Sequence, residues 1–201
     1  MGCPSAVEGL AYAFAMWWSG ARPKLSMSDS SVNQGRILRN LMRLMDVTCG
    51  HSLYEVLPRG VQVWLPEQGK GVYPDLLVVA GEPLLHDGQA DKLLNPCVIF
   101  EILSGPTPGC DSEAATLPGS QRLAEGQRSP MFRHCQAIPY LQAYLFVHQT
   151  EARVEQFYRA EEHLWGMTTQ SGLNSVVELA ITDARLPMMD IYERVDFSLL
   201  V

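Results

Sequence analysis

Apolar residues between positions 33 and 47 recur at the spacing of one helix face, and arginines with one aspartate occupy the other face. The apolar positions are Ile37, Leu38, Leu41, Leu44 and Met45. Ser30, Ser31 or Asn33 can act as the N-cap of this helix. Gly50 can end it. The pattern therefore predicts an amphipathic helix over residues 33–47.

Short runs rich in β-branched and aromatic residues predict strands along most of the remaining chain. They cover residues 52–56, 61–65, 75–79, 97–103, 143–148, 153–159 and 164–169. The run at 97–103 is apolar except for Glu101, which is typical of a central strand covered on both faces. Residues 66–71 predict a turn. Two further helices are predicted at 131–136 and 188–194.

Residues 105–127 differ from the rest of the chain. They hold four glycines, three prolines and two serines, with no apolar period. This composition predicts a long loop that is poorly ordered, because few apolar side chains can anchor it. The chain length of 201 residues fits one domain, and its 47% of hydrophobic residues suffice for a substantial core.

Charge and cysteine content narrow the function classes. The net charge is −7, and no strongly basic patch is evident, so charge alone does not indicate nonspecific binding to nucleic acid. The five cysteines form no C-x-x-C pair, which argues against a zinc ribbon and favours free thiols in a reducing cytoplasm. The apolar stretch at residues 6–18 is too short to span a bilayer, so we expect no membrane association.

Asp75 and Glu101 are the residues with candidate chemistry. Asp75 follows a proline at the start of one apolar strand, and Glu101 interrupts the next. A carboxylate in so apolar a strand is costly to bury without a partner, and a divalent metal ion is one such partner. Water bound to that ion could attack phosphorus. Structural alternatives remain at this point, since Asp75 can end a turn and Glu101 can pair with an arginine or lie at an exposed edge.

Several motifs follow one another in a recognisable order. They are Tyr-Pro-Asp-Leu-Leu-Val-Val at 73–79, Leu-Asn-Pro at 94–96, Phe-Glu-Ile-Leu-Ser at 100–104, Ala-Ile-Pro-Tyr-Leu-Gln-Ala-Tyr-Leu-Phe-Val at 137–147 and Val-Glu-Gln-Phe-Tyr-Arg at 154–159. As a set, they resemble the Uma-type family, which is classed with restriction endonucleases, is abundant in cyanobacteria and belongs to the PD-(D/E)XK nuclease superfamily. The resemblance covers about residues 30–197.

The resemblance implies a restriction-endonuclease-like α/β fold with a central mixed β-sheet flanked by helices. It also implies a Mg²⁺ site, with Mn²⁺ as an alternative ion, in which Asp75 and Glu101 are metal ligands and catalytic residues. The backbone carbonyl of Ile102 can add another oxygen. The implied partner is DNA and the expected location is the cytoplasm. A homodimer is left open.

One departure from the family concerns a lysine. The family places it a few residues before the Ile-Pro pair, where this chain has Met131, and no lysine follows position 92. Methionine cannot balance the charge that develops on a phosphate. Arg128 or Arg133 would substitute only in part, because arginine has a different geometry.

Two other departures define the domain organisation. The insertion at 105–127 replaces a short Ser-Pro-Ser-Thr linker of the family. The family's N-terminal acidic hairpin is not recognisable at residues 1–29, which therefore form an atypical N-terminal segment. We expect the restriction-endonuclease-like domain to cover residues 30–201.

The sequence supports two function hypotheses. The first is a Mg²⁺-dependent DNA endonuclease, weakened by the loss of its lysine. The second is a catalytically inactive binding or interaction protein on the same fold. The pair Asp75 and Glu101 favours the first hypothesis, and Met131 favours the second. We predict that Met131→Lys raises whatever cleavage activity the chain has.

Overall fold

The computed structural model describes residues 31–49, 53–88, 91–103, 130–161 and 164–199. The loop expected at 105–127 and the segment at 1–29 lie outside these ranges. The helices are α1 (Val32–Cys49), α2 (Pro130–Cys135) and α3 (Met188–Ile191). The strands are β1 (Tyr54–Pro58), β2 (Gln62–Leu65), β3 (Lys70–Val72), β4 (Leu76–Ala80), β5 (Lys92–Leu93), β6 (Pro96–Leu103), β7 (Ala143–His148), β8 (Arg153–Glu161), β9 (Leu164–Ser171), β10 (Val176–Leu179) and β11 (Ala184–Pro187).

Helix α1 is the amphipathic helix that the apolar spacing predicts. Ser31 caps it, since its hydroxyl oxygen accepts a hydrogen bond from the backbone N–H of Gln34 at 3.1 Å. On the buried face, the side-chain amide of Asn40 donates to the carbonyls of Ile191 and Glu193 at 3.0 and 2.9 Å, which ties α1 to α3 and the residues after it. Among the described residues, no helix is long and apolar enough to cross a membrane.

Six strands form the main sheet, in the order β1-β4-β6-β7-β8-β9. The central pair β6 and β7 is parallel, and the other neighbouring pairs are antiparallel. Strands β4, β6 and β7 are buried along most of their length, as their continuous apolar runs predict. The expected central mixed sheet flanked by helices is confirmed.

Each face of the main sheet packs against its own apolar core. The first core lies on the side of α1 and includes Ile37 and Phe100. The second core lies on the side of α2 and includes Ile99 and Phe132. A small sheet in the order β3-β2-β5 contributes to the second core. Because successive residues of β4 and β6 point to opposite faces, the alternation along these strands decides which core a side chain enters.

The structure corrects several predicted elements. Strand β3 occupies part of the turn predicted at 66–71, and β5 and the β10-β11 hairpin have no predicted counterpart. Helix α3 is four residues long, shorter than the helix predicted at 188–194. These strands have two to four residues each, so they are too short to show a period in sequence. Their pairing partners determine their structure.

Candidate active site

Asp75 and Glu101 lie next to a paired position of two neighbouring strands. Strands β4 and β6 are antiparallel with Leu76 paired to Phe100. Asp75 directly precedes Leu76, and Glu101 directly follows Phe100. The backbone N–H of Asp75 also donates to the carbonyl of Phe100 at 3.2 Å. The two strands therefore bring together two acidic residues that a long stretch of sequence separates.

The carboxylate of Asp75 contacts the backbone next to Glu101. Its Oδ2 accepts a hydrogen bond from the N–H of Ile102, the residue that follows Glu101. The side chain of Glu101 shares its face of β6 with Ile99, which belongs to the second core. Two acidic residues on such adjoining segments are a candidate set for binding one ion.

Three groups contact the buried carboxylate of Asp75. Its Oδ2 accepts a hydrogen bond from the backbone N–H of Ile102 at 2.7 Å. Its Oδ1 accepts one from Nε2 of Gln34 on α1 at 3.3 Å. Oδ1 also forms an ion pair with the guanidinium of Arg59, which lies in the turn between β1 and β2. Asp75 thus does more than end a turn, since its carboxylate is held by contacts with two other parts of the chain.

Tyr144 on β7 holds the second carboxylate. Its hydroxyl donates to Oε2 of Glu101 at 2.6 Å, and the tyrosine is fully buried while Glu101 is partly exposed. Burial raises the pKa of Tyr144 well above its ordinary value, and the negative charge of Glu101 raises the pKa further. The hydroxyl therefore stays protonated and remains a donor. Sequence analysis placed Tyr144 in a strand and gave it no role at the site.

The position of the family lysine is occupied by a core residue. Met131 lies on α2 and packs, partly buried, against the second core. Arg133 on the same helix is exposed, and Arg128 lies outside the described residues. The two arginines that the sequence offers as a replacement for the lysine therefore place no cation at the described part of the site.

The donor set fits a hard divalent cation. Asp75 and Glu101 offer carboxylate oxygens, and Mg²⁺ binds through one or two carboxylates with water and substrate phosphate in its remaining positions. The described residues contain no cluster of three or more His, Cys, Asp or Glu side chains suited to a metal ion. Two carboxylates alone are a set that suits Mg²⁺ or Mn²⁺. Any ion at Oδ1 of Asp75 competes with Arg59 for that oxygen.

The chain is similar to known proteins over most of its length. The model of the Uma2 family, described as "Putative restriction endonuclease", matches residues 25–189. The chain belongs to the Uma2 family. A protein of Synechocystis sp. described as uncharacterized is 28% identical over 156 residues, which are 78% of this chain and 79% of that protein. The resemblance inferred from the motifs is therefore confirmed.

A solved structure shares the Uma2 fold seen here. It is the crystal structure of a protein from Anabaena variabilis described as a "putative nuclease belonging to DUF820". The TM-score is 0.55, and the match covers 85% of this chain and 83% of that chain. Sequence identity is 15%, so this likeness supports the nuclease-like fold and not the details of the site.

Proposed function

We propose that this Uma2 protein is a Mg²⁺-dependent endonuclease that hydrolyses phosphodiester bonds of DNA. The observation that supports the proposal most is the contact of Asp75 with the backbone N–H of Ile102, next to Glu101, with each carboxylate held by a donor from the chain. The family and the fold support a nuclease of this class. Mn²⁺ can replace Mg²⁺, because both ions accept carboxylate oxygens as ligands.

In this proposal, Asp75 and Glu101 are the ligands of the ion, which when bound lowers the pKa of water and neutralises charge on the phosphate. The backbone N–H of Ile102 and the hydroxyl of Tyr144 orient the two carboxylates. Such outer partners restrict the ligands to one geometry and so strengthen ion binding. Arg59 neutralises Asp75 when the ion is not bound.

The proposed reaction is the addition of water across a phosphate ester bond. The water oxygen forms a bond to phosphorus while the P–O ester bond breaks. The electron pair of the broken ester bond remains on the leaving oxygen. The water gives a proton to solvent and the leaving oxygen takes one from solvent. The products are a phosphate monoester and a hydroxyl group. Negative charge builds up on the oxygens around phosphorus, so positioned cations accelerate the reaction.

A cleavage assay tests the proposal. The full chain is incubated with supercoiled plasmid and with single-stranded DNA in Mg²⁺, in Mn²⁺ or in EDTA, beside Asp75→Ala. We expect metal-dependent cleavage by the wild type and none by the variant, because the variant lacks one of the two ligands. Circular dichroism checks that the variant folds, since it also loses the partner of Arg59. Equal cleavage by both proteins would contradict the proposal.

The competing candidate is a catalytically inactive binding protein on the same fold. The observation that favours it is the position of Met131, which packs against the second core and offers no charge to a phosphate. DNA binding in a gel-shift assay without any metal-dependent cleavage would select this candidate.

A substitution of Tyr144 tests the ion site separately from cleavage. We expect Tyr144→Phe to weaken Mn²⁺ binding by roughly 10- to 100-fold, because Glu101 loses the donor that orients it. Isothermal titration calorimetry measures the affinity. The matched control is Tyr54→Phe, whose hydroxyl donates to the carbonyl of Ile181 at 2.6 Å and should leave the affinity unchanged. Identical affinities for the two variants would argue against a role for Glu101 in metal binding.

A further inference from the structure

A lysine outside the family motif lies beside the candidate site. Lys70 is the first residue of β3 and shares its face with Val72, which packs against the second core. Glu101 lies on the face of the main sheet that borders the same core. The small sheet thus carries Lys70 toward the side of the main sheet that Glu101 faces.

His134 on α2 holds the ammonium group of Lys70. The Nζ atom lies 2.9 Å from Nε2 and 3.1 Å from Nδ1 of His134, so Lys70 donates to the imidazole. Within the ranges that the structure describes, no carboxylate forms an ion pair with Lys70. The imidazole carries no negative charge, so it does not cancel the positive charge of the lysine.

Helix α2 links the surroundings of Lys70 and Glu101. Its His134 contacts Lys70, and the ring of its Phe132 lies 5.0 Å from that of Tyr144, whose hydroxyl donates to Glu101. Cys135 on the same helix agrees with this placement, because burial and then Glu101 raise the pKa of its thiol to about 12 while Lys70 acts in the opposite direction. The ammonium group and the carboxylate therefore both lie next to α2.

We propose that Lys70 is the cation that contacts the scissile phosphate, and that it supplies the positive charge that Met131 cannot. This inference rests on the proposed function. A lysine ammonium group at that place stabilises the charge that develops on the phosphate oxygens. It would approach from β3, a strand that precedes the acidic residues in sequence, whereas the family lysine belongs to the helix that follows them. The chain thereby retains a catalytic lysine despite the methionine at position 131.

The test compares lysine variants of the full chain in the metal-dependent cleavage assay. Lys70→Met keeps the length of the side chain and removes its charge, and we expect it to lower the rate by about 10²–10³-fold. Lys70→Arg keeps a charge and should retain more activity than Lys70→Met. The matched control is Lys92→Met, because Nζ of Lys92 lies over the ring of Trp64, 4.3 Å from its centroid, and this variant should cleave at the wild-type rate.

A double variant tests whether the positive charge determines the cleavage rate. We expect Met131→Lys to raise the cleavage rate more in the Lys70→Met variant than in the wild type. Only the Lys70→Met variant lacks the lysine cation at the site. Mn²⁺ affinity of Lys70→Met should not fall below that of the wild type, because the ligands are Asp75 and Glu101. A general loss of structure would lower both the affinity and the rate.

The outcomes separate the inference from the proposed function. If Lys70→Met cleaves at the wild-type rate and Asp75→Ala does not cleave, the role of Lys70 is overturned and the proposed function stands. If the wild-type protein cleaves no faster than Asp75→Ala, the role of Lys70 and the proposed function are both overturned. If circular dichroism shows that Lys70→Met does not fold, Lys70→Gln takes its place with the same expected loss.

Discussion

Glu101→Gln is expected to slow metal-dependent DNA cleavage on the order of 10²–10³-fold. Glutamine has nearly the size and shape of glutamate, and its amide oxygen can still accept the hydrogen bond from Tyr144. What it lacks is the negative charge that attracts a divalent cation. The fold should therefore persist while the ion site loses half of its carboxylate charge.

Two measurements on Glu101→Gln check this expectation. Calorimetry with Mn²⁺ should show weaker binding than in the wild type, and cleavage should not recover at Mg²⁺ concentrations that saturate the wild type. Glu178→Gln is the matched control, because the side chain of Glu178 is 68% exposed and pairs with Arg185 on the surface. Unchanged Mn²⁺ affinity and unchanged cleavage in Glu101→Gln would rule out Glu101 as a metal ligand.

Phe132→Ala is expected to lower the free energy of unfolding by about 3–5 kcal/mol. The ring of Phe132 is fully buried, and its centroid lies 4.5 Å from that of Phe157 and 5.0 Å from that of Tyr144. Helix α2 has only six residues and cannot be stable by itself, so the packing of this ring holds it in place. Removing the ring leaves a cavity at the centre of the second core.

Chemical denaturation followed by circular dichroism measures this loss. Tyr140→Ala is the matched control, because Tyr140 is an aromatic residue close to α2 that is 51% exposed, and its substitution should change the free energy of unfolding little. The site should be affected as well in Phe132→Ala, since α2 carries His134 and thereby positions Lys70. A stability loss no greater than that of Tyr140→Ala would show that α2 is not held by this ring.

The helices and strands that follow a local pattern of apolar residues were predictable from the sequence. Strand β7 has the bounds 143–148 that its apolar run predicts, and α1 extends the predicted helix by a few residues. Strand β6 was expected to be central because its run is apolar except for Glu101, and it lies between β4 and β7. These features depend on periods of two or 3.6 residues, which are visible in a short window of sequence.

The sequence by itself determined the fold class and the main strands and gave Asp75 and Glu101 as candidate site residues, because these depend on local periodicity and on the order of the motifs. Only the tertiary structure decided which side chains surround those carboxylates. The partners lie far apart in sequence, at separations of 16 residues for Arg59 and Asp75, 43 for Tyr144 and Glu101, and 64 for Lys70 and His134. Strand register and the packing of α2 create these contacts, and no local pattern records them because each depends on two distant segments meeting in one core.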